Sequence, residues 1–373
     1  MSSGKKLCFV LMLMAALLAG CTSSRAPVRS FVEEPFPEKL SDWHLFLGGR
    51  GITQPNQGVL PYDLNTALFS DYASKYRFVW MPPGTAAHYR DDGAFDFPVG
   101  TILAKSFAFP ADSGGERLVE TRLLVHAKTG WVGLPYIWND RQSEARLDLA
   151  PDPVAVHYAD VSGKKLDFTY FIPNANECKQ CHDNERVMLP IGPKARNLNK
   201  DYAYPDGVAN QLVRWTQAGY LEGAPSPEAA PRAARWDAPE SGTLAERARA
   251  YLDNNCAHCH QPGAAAGYTG FDLRLTTSSP VALGLCRSPN SAGRVGNLVY
   301  DLVPGKPEES IIVARMESTR PKEMMPQIGR SVVHQEGLAL VREWIGSLPT
   351  DGAACAAQGQ SRALLVRTPP KAP

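Results

Sequence analysis

The chain has 373 residues, a formal net charge of +1 and 44% apolar residues, enough for two or three domains with their own cores. Positive and negative charges nearly cancel, so no basic surface is expected to attract the phosphates of nucleic acid. The 31 prolines exceed the usual share and favour long loops.

The N-terminus has the organisation of a signal peptide. Two lysines precede an apolar run over residues 7–19, which is shorter than the roughly 20 residues of a membrane-spanning helix. Residues 18–21, Leu-Ala-Gly-Cys, resemble a bacterial lipobox. We therefore expect removal of residues 1–20 and lipidation of Cys21, and Thr22 in place of an acid favours the outer membrane. An ordinary signal peptide cut near this point is the alternative.

Removal of the leader takes away Lys5 and Lys6 and no acid, which changes the net charge from +1 to −1. The lipid would then hold the exported chain at the membrane, facing the periplasm. Residues 21–37 contain several Ser, Pro and Arg and are predicted to be a tether. In this oxidising compartment, cysteines that have no other role are expected to pair.

Residues 38–172 are predicted to form a β-rich domain. Apolar and polar residues alternate over residues 76–80, 119–125 and 154–158, as in half-buried strands, and 103–109 is another short apolar run. By this alternation His126 shares a solvent-facing side with Glu120 and Arg122. No nucleophile–base motif, phosphate loop or metal-ligand cluster stands out in this region.

Two Cys-x-x-Cys-His pentapeptides follow, at residues 178–182 and 256–260. Cysteines one helical turn apart present both thiols on the same side, where they can bond to a porphyrin edge. The histidine that follows brings an imidazole under the ring to ligate iron, so the pattern is the attachment signature of c-type haem. We expect two covalently bound haem c groups. The attachment cysteines are Cys178, Cys181, Cys256 and Cys259, and the iron ligands are His182 and His260.

Other chemistries use Cys-x-x-Cys pairs, namely dithiol redox centres and zinc sites. Zinc ribbons place their two pairs roughly 15–20 residues apart, whereas 74 residues separate Cys181 from Cys256 and a histidine follows each pair. Haem attachment is therefore the favoured interpretation. His258, inside the second pentapeptide, is not expected to be an additional ligand because its neighbours already attach the haem.

Residues 173–221 are predicted to form the first haem segment. The prolines and glycine at residues 190–193 break any helix after the motif. Lys194 and Arg196 follow, and they are candidates to neutralise the haem propionates because such cations pair well with carboxylates. Solvated surface charge is the alternative interpretation of both residues.

The sequence leaves the sixth iron ligand of the first haem open. Met188 lies six residues after His182, but the turn at residues 190–193 limits how far the chain can pass around the ring. His157, on a predicted strand 25 residues before His182, is the nearest outside candidate. Weaker candidates in the same domain are His88, His126 and Met81. The alternatives are an outside ligand, Met188 or an open iron face.

Residues 222–242, rich in Ala, Pro and Glu, are predicted to be a linker. It leads to a second haem domain over residues 243–355. Thr243 and Glu246 form a capping-box pattern, which opens a helix that runs into the second motif. Apolar residues recurring from 338 to 348 predict an amphipathic helix that closes this domain.

Met325 is the predicted second axial ligand of the second haem. It precedes Pro326, which favours an extended backbone at Met325, and it lies 65 residues after His260, a whole small domain away. Met316 shares a helix face with Ile312 and is predicted to be a core residue instead.

Two cysteines remain after this assignment, since Cys8 leaves with the leader and Cys21 carries lipid. Cys286 and Cys355 are therefore predicted to form a disulfide bond. Residues 356–373 are rich in Ala, Gln and Pro and are predicted to be a disordered tail.

Residues 243–349 resemble class I cytochrome c domains, with a helix into the haem motif, a loop Met before Pro and a closing helix. The wider chain resembles a family of exported bacterial diheme c-type cytochromes that are often lipoproteins. The stretches that carry this resemblance are residues 62–65 (YDLN), 69–72 (FSDY), 191–199 (IGPKARNLN) and 255–260 (NCAHCH). The resemblance implies two haems and electron transfer.

The sequence thus predicts a multidomain α+β protein, with a β-rich domain followed by two mainly helical haem-binding segments. The expected function is transfer of single electrons between redox partner proteins at the cell envelope, by outer-sphere transfer and without catalysis. One alternative is a diheme peroxidase with an open first haem. Another is an electron-transfer subunit whose β domain docks a dehydrogenase.

Overall fold

The computed structural model describes residues 26–47, 52, 54–111, 114–159, 165–290, 295–350 and 355. The predicted leader, the lipidation site Cys21 and the tail over residues 356–373 lie outside these residues. The described chain is mixed α/β, with strands concentrated in the N-terminal half and helices after it.

Strands formed by alternating apolar residues build the N-terminal half. The strands are β1 (Leu60–Tyr62), β2 (Ser74–Trp80), β3 (Ala87–His88), β4 (Ile102–Pro110), β5 (Glu116–Ala127), β6 (Gly130–Trp138), β7 (Ala145–Leu147), β8 (Val154–Ala159), β9 (Lys165–Tyr170), β10 (Asp183–Asn184), β11 (Val187–Met188), β12 (Asp201–Tyr204), β13 (Gly207–Asn210) and β14 (Leu221–Glu222). Within the described residues, six of them form one antiparallel sheet in the order β1-β2-β4-β5-β6-β7. The predicted strands over 76–80, 103–109, 119–125 and 154–158 are confirmed.

Both faces of the large sheet are covered. On one face Phe78 and Leu123 pack with Trp43, whose indole N–H donates a 2.7 Å hydrogen bond to the Tyr136 hydroxyl. On the other face Leu103 packs with Trp215 from the first haem segment. Because successive strand residues point to opposite faces, neither face is available to solvent along its centre.

The expectation that Glu120 faces solvent is wrong. Its side chain is completely buried, and it accepts a 2.6 Å hydrogen bond from the Tyr170 hydroxyl on β9 and two from Arg122. The β8–β9 hairpin covers this end of the sheet. The face of β5 that carries its polar residues is therefore buried there. His126 lies further along the strand, stacks on Trp131 and places Nδ1 2.9 Å from the Phe97 carbonyl oxygen.

Helices follow the sheet. They are α1 (Ala175–His182), α2 (Ala195–Leu198), α3 (Gln211–Gln217), α4 (Leu244–Asn255), α5 (Ile311–Glu317) and α6 (Gln335–Ser347), with 3₁₀ turns at Leu40–Trp43, Pro239–Ser241, Gly267–Thr269 and Pro307–Glu309. The capping box at Thr243 and Glu246 is confirmed, and Asn174 with Glu177 forms another before α1. The closing helix is α6, which packs across α4.

The two halves share a polar boundary. Arg196 and Asp253 are both buried there, and their side chains make hydrogen bonds of 3.1–3.2 Å. Residues 222–242 pack along the first haem segment, with Ala233 buried and its amide donating to the Arg196 carbonyl oxygen at 2.9 Å. Among the described residues, no helix combines the length and apolar character needed to cross a bilayer.

Gly337 decides how closely α6 approaches α4. A Cβ atom at this position would lie 2.4–2.5 Å from the ring of the buried Tyr251. We expect Gly337→Ala to lower the free energy of unfolding by about 1–3 kcal/mol, the usual cost of overpacking. Chemical denaturation measures this value.

Gly346 on the same helix is the matched control, since a Cβ atom there would have no neighbour within 4 Å. Gly346→Ala should be neutral or raise stability by up to about 1 kcal/mol because alanine favours the helix. Equal effects of the two substitutions would contradict the role assigned to Gly337.

Candidate cofactor sites

The first pentapeptide lies at the end of α1, packed against the sheet. The Asn174 side chain accepts hydrogen bonds from the amides of Asn176 and Glu177, which fixes the start of this short helix. Gly133 on β6 allows the contact, because a Cβ atom there would be 3.3 Å from Cys178 Cβ. The helix therefore presents its cysteines next to the centre of the sheet.

His182 is oriented by the chain that follows it. Its Nδ1 lies 2.7 Å from the carbonyl oxygen of Leu189, which only accepts, so Nδ1 carries the proton. Nε2 is thereby left with its lone pair. Burial lowers the pKa of His182, which keeps the imidazole neutral as a metal ligand must be. A backbone carbonyl in this position is a frequent partner of metal-binding histidines.

His260 in the second pentapeptide has the same tautomer for a different reason. The Thr269 hydroxyl donates to the Ala266 carbonyl oxygen at 2.6 Å, so its oxygen accepts from His260 Nδ1 at 3.2 Å. Phe271 packs edge-on to the imidazole, with ring centroids 5.4 Å apart. Burial, with His258 as the next contributor, lowers the pKa of His260 to about 4. The second motif therefore also presents a neutral imidazole.

A cavity of about 500 Å³ borders the second motif. Cys256, Cys259 and His260 line it, and so do both candidate thioethers, Met316 and Met325. Met316 is buried in the helical core beside α6, as the sequence predicts for it. Met325 lies in the loop after α5 and lines the cavity from there.

Two further cavities border the first motif, besides the 500 Å³ cavity of the second motif, which Gln180 and Cys181 also line. A narrow one of about 170 Å³, here called the sheet-side cavity, is lined by Cys178, Cys181 and His182 together with the sheet. A larger one of about 840 Å³ lies among residues 90–97 and 129–131 and also reaches His182. Both attachment cysteines and the histidine thus meet at one cavity, as a covalently held planar group requires.

The candidates for a sixth ligand are dispersed. His157 pairs with Asp167 at 3.0 Å on the exposed β8–β9 hairpin, His88 is exposed, and Met81 is buried in the apolar core. His126 lines the larger cavity. Besides His182, two described residues with a possible ligand atom of this kind line the sheet-side cavity. They are the thioether of Met188 and the imidazole of His258.

The two pentapeptides are in contact with each other. Cys259 Sγ lies 3.6 Å from the Gln180 carbonyl oxygen, and the ligand atoms of Cys181, His258 and Cys259 lie within 4.8 Å of one another. As free thiols, Cys181 and Cys259 share a hydrogen bond. This bond lowers the pKa of Cys181 to about 4 and raises the pKa of Cys259. These three side chains could hold a metal ion. They come from two motifs that are far apart in the chain, so no local pattern of the sequence predicts that they meet.

Lys194 and Arg196 line the larger cavity beside the first motif, and both also face acids at the boundary between the halves. Arg196 binds Asp253 and Asp92 at the boundary between the halves, and Lys194 Nζ lies 3.8 Å from Asp253. Arg77, Lys105 and Arg122 instead line the sheet-side cavity. The convergence of these three cations depends on strand register, which the sequence does not show.

Cys286 and Cys355 form a disulfide bond with Cα atoms 4.7 Å apart, the pairing that the sequence predicts. The Tyr300 hydroxyl also donates to the Cys355 carbonyl oxygen at 3.1 Å. The bridge spans 69 positions and attaches the end of the described chain to the loops after the second motif.

Comparisons with protein-family models, curated proteins and solved structures find no match to this chain. The functional argument therefore rests on the residues and geometry of the two motifs.

Proposed function

We propose that this protein is a diheme c-type cytochrome that carries single electrons at the cell envelope by outer-sphere transfer. The observation that carries the proposal is the arrangement of the two pentapeptides. Each presents a neutral histidine whose Nδ1 is held by an acceptor, at Leu189 and Thr269 respectively. Each also has its two cysteines at the wall of the same cavity as that histidine.

This donor set fits haem c better than the other chemistries that cysteine pairs support. A structural zinc site needs four ligands around one point, whereas the cluster of Cys181, His258 and Cys259 offers three and leaves His182 and His260 facing separate cavities. Haem, when bound, supplies the one-electron change between ferrous and ferric iron. The chain supplies attachment, an axial imidazole and a partly dry environment that sets the potential.

The contact between the motifs supports an electron relay within the chain. Cys181 and Cys259 have their sulfur atoms within 4.8 Å, and these atoms are the points at which the haem edges would attach. Haems attached there would be close enough for electrons to pass directly between them. Met325, which lines the same cavity as His260, would raise the potential of a haem held there and make it the accepting end.

The proposed location follows from the leader and from Cys21. A lipid anchor places the protein at the cell envelope facing the periplasm, where haem is attached to exported chains. Its partners are redox proteins, one of which donates electrons to one haem edge while another accepts electrons from the other. The lipid holds the protein at the membrane, and nucleic acid is not among the proposed partners.

A peroxidase is the second candidate, because the sheet-side cavity brings charged groups to the first motif. Arg77 and Lys105 line it, and an iron with an open face beside them would have cations to polarise a bound peroxide. Turnover of peroxide with a reduced donor protein separates this candidate from a simple carrier. A carrier would show no saturable turnover.

The test of the main proposal is a count of covalent haem. Protein from cells that attach haem c should keep haem stain after denaturing electrophoresis and contain two haems per chain. Replacing Cys178 and Cys181 by alanine should leave one haem. Cys286→Ala with Cys355→Ala is the matched control and should keep both. Stain lost on denaturation, with zinc found by metal analysis, would replace the proposal by a zinc site.

A further inference from the structure

Three cationic side chains form a row across the middle of the large sheet. In the strand register Arg77 on β2 is directly opposite Lys105 on β4, and Lys105 is directly opposite Arg122 on β5. Directly opposed residues project from the same face of a sheet, and like charges in such pairs destabilise it. A row of this kind therefore needs anions to offset its charge.

The acids near the row offset only part of its charge. Asp63 binds Arg77 at 3.0 Å, but it is shared with Lys200 at 2.8 Å. Glu120 is fully engaged by Arg122 and the Tyr170 hydroxyl. Asp63 and Glu120 thus serve Arg77, Arg122 and Lys200 before Lys105 is considered. Glu177 also lines the cavity, but its carboxylate accepts from the Asn174 amide at 2.9 Å.

Lys105 and one nitrogen of Arg77 are left without an acceptor. Within the described chain, Lys105 Nζ makes no hydrogen bond and lies 4.7 Å from the centre of the Phe107 ring. Arg77 is only 5% exposed, and its buried Nη2 has no partner. Burial, followed by the charge of Arg77, lowers the pKa of Lys105 well below its usual value. An unpaired buried guanidinium nitrogen destabilises the folded protein, and a bound acceptor would remove that cost.

The surroundings of the row indicate what kind of anion fits. Arg77, Lys105 and Arg122 line the sheet-side cavity beside Leu103 and Leu124. Apolar side chains next to the cations favour an acid carried on a hydrocarbon chain over a fully hydrated inorganic ion. Both arginines of the row already have a carboxylate partner, so Lys105 is its one cation without a carboxylate partner among the described residues, and a single carboxylate would offset that charge.

We propose that Arg77, Lys105 and Arg122 form a carboxylate-binding site in the sheet-side cavity, with Lys105 and the free Nη2 of Arg77 as the donors. The carboxylate comes either from a propionate of the haem attached at Cys178 and Cys181 or from a small free carboxylic acid. The first source rests on the proposed function, whereas the second does not. In either case the β-rich half contributes directly to the first site.

The experiment compares Lys105→Gln with Lys128→Gln in the full-length protein. Lys128 is an exposed lysine at the end of the same sheet, paired with Glu33, so it controls for the loss of one charge. Two properties are measured for each protein. One is the midpoint potential of the first haem as a function of pH, with the second haem as internal reference. The other is the change in tryptophan fluorescence and thermal stability on adding sodium propionate, with sodium chloride at equal ionic strength as the blank.

A haem propionate held by the row gives one pattern. A nearby cation favours the ionised carboxylate, so its loss raises the carboxylate pKa. Lys105→Gln should then move the inflection of the potential-against-pH curve of the first haem upward by about one pH unit. Lys128→Gln should leave that inflection in place, and added propionate should have no effect on any of the proteins.

A free acid gives another pattern. Sodium propionate should then bind saturably to the unsubstituted protein and to Lys128→Gln. Lys105→Gln should bind it about tenfold more weakly, the loss expected from one charge-assisted hydrogen bond. Identical behaviour of Lys105→Gln and Lys128→Gln in both measurements overturns the site. A protein without covalent haem would refute the proposed function, while the propionate titration would still decide whether the row binds a carboxylate.

Discussion

Met325→Ala should abolish the iron–thioether charge-transfer band of the ferric protein and lower the midpoint potential of the second haem. The loop that carries Met325 is held on both sides: its amide donates to the Arg315 carbonyl oxygen at 2.9 Å, and its own carbonyl oxygen accepts from the buried Arg330 at 3.1 Å. The side chain borders the same cavity as His260. A thioether ligand favours ferrous iron, so its removal favours the ferric state.

Met316→Ala is the matched control because Met316 borders the same cavity from the helical core. Loss of this buried side chain should cost about 2–5 kcal/mol of stability and leave the charge-transfer band in place. Absorption spectra and a redox titration of both variants make the comparison. Loss of the band in Met316→Ala alone would transfer the ligand role to Met316.

Asp253→Asn should lower the free energy of unfolding by about 3 kcal/mol. Asp253 is 1% exposed and accepts hydrogen bonds from Nε and Nη2 of Arg196 and from the Leu275 amide. Removing one member of a buried ion pair leaves the other charge uncompensated, at a cost of about 3–5 kcal/mol. The hydrogen bond from Arg196 to Asp92 remains in the variant. We therefore expect a loss of stability near the lower end of this range.

Asp140→Asn provides the control for this second prediction. Asp140 also pairs with an arginine, Arg117, at 2.8 Å, but its side chain is 94% exposed. Exposed ion pairs contribute about 0–1 kcal/mol, so denaturation midpoints should hardly change. A loss at Asp253 no larger than that at Asp140 would show that Arg196 does not depend on this partner.

The strand and helix positions were largely predictable because their signals are local. The alternation around Phe78 and Leu123 predicts strands, and the pair Thr243 and Glu246 predicts the start of α4, as the structure has them. Each signal involves residues within a few positions of one another in the chain. It therefore does not depend on which other parts of the protein pack against the strand or helix. The pentapeptides are local signals of the same kind, since each consists of five consecutive residues, and their haem chemistry stays a prediction.

The environment of polar residues on these elements was not predictable in the same way. The alternation shows that Glu120 lies on the polar side of its strand and Phe78 on the apolar side of another. It does not show what covers the polar side. The β8–β9 hairpin and α1 cover it, which buries Glu120 and turns Arg122 into a wall of the sheet-side cavity. Arg196 borders the larger cavity beside the first motif, but the fold also pairs it with the buried Asp253, which the sequence does not show.

The sequence by itself therefore predicted the main strands and helices and the two cysteines of the disulfide bond, while haem attachment at the two motifs stays a prediction. Only the tertiary structure brought Cys181 to Cys259 and aligned Arg77, Lys105 and Arg122 in one row. The physical reason is that these contacts join residues far apart in the chain. Their geometry depends on strand register and on the packing of helices, which no local pattern of residues encodes.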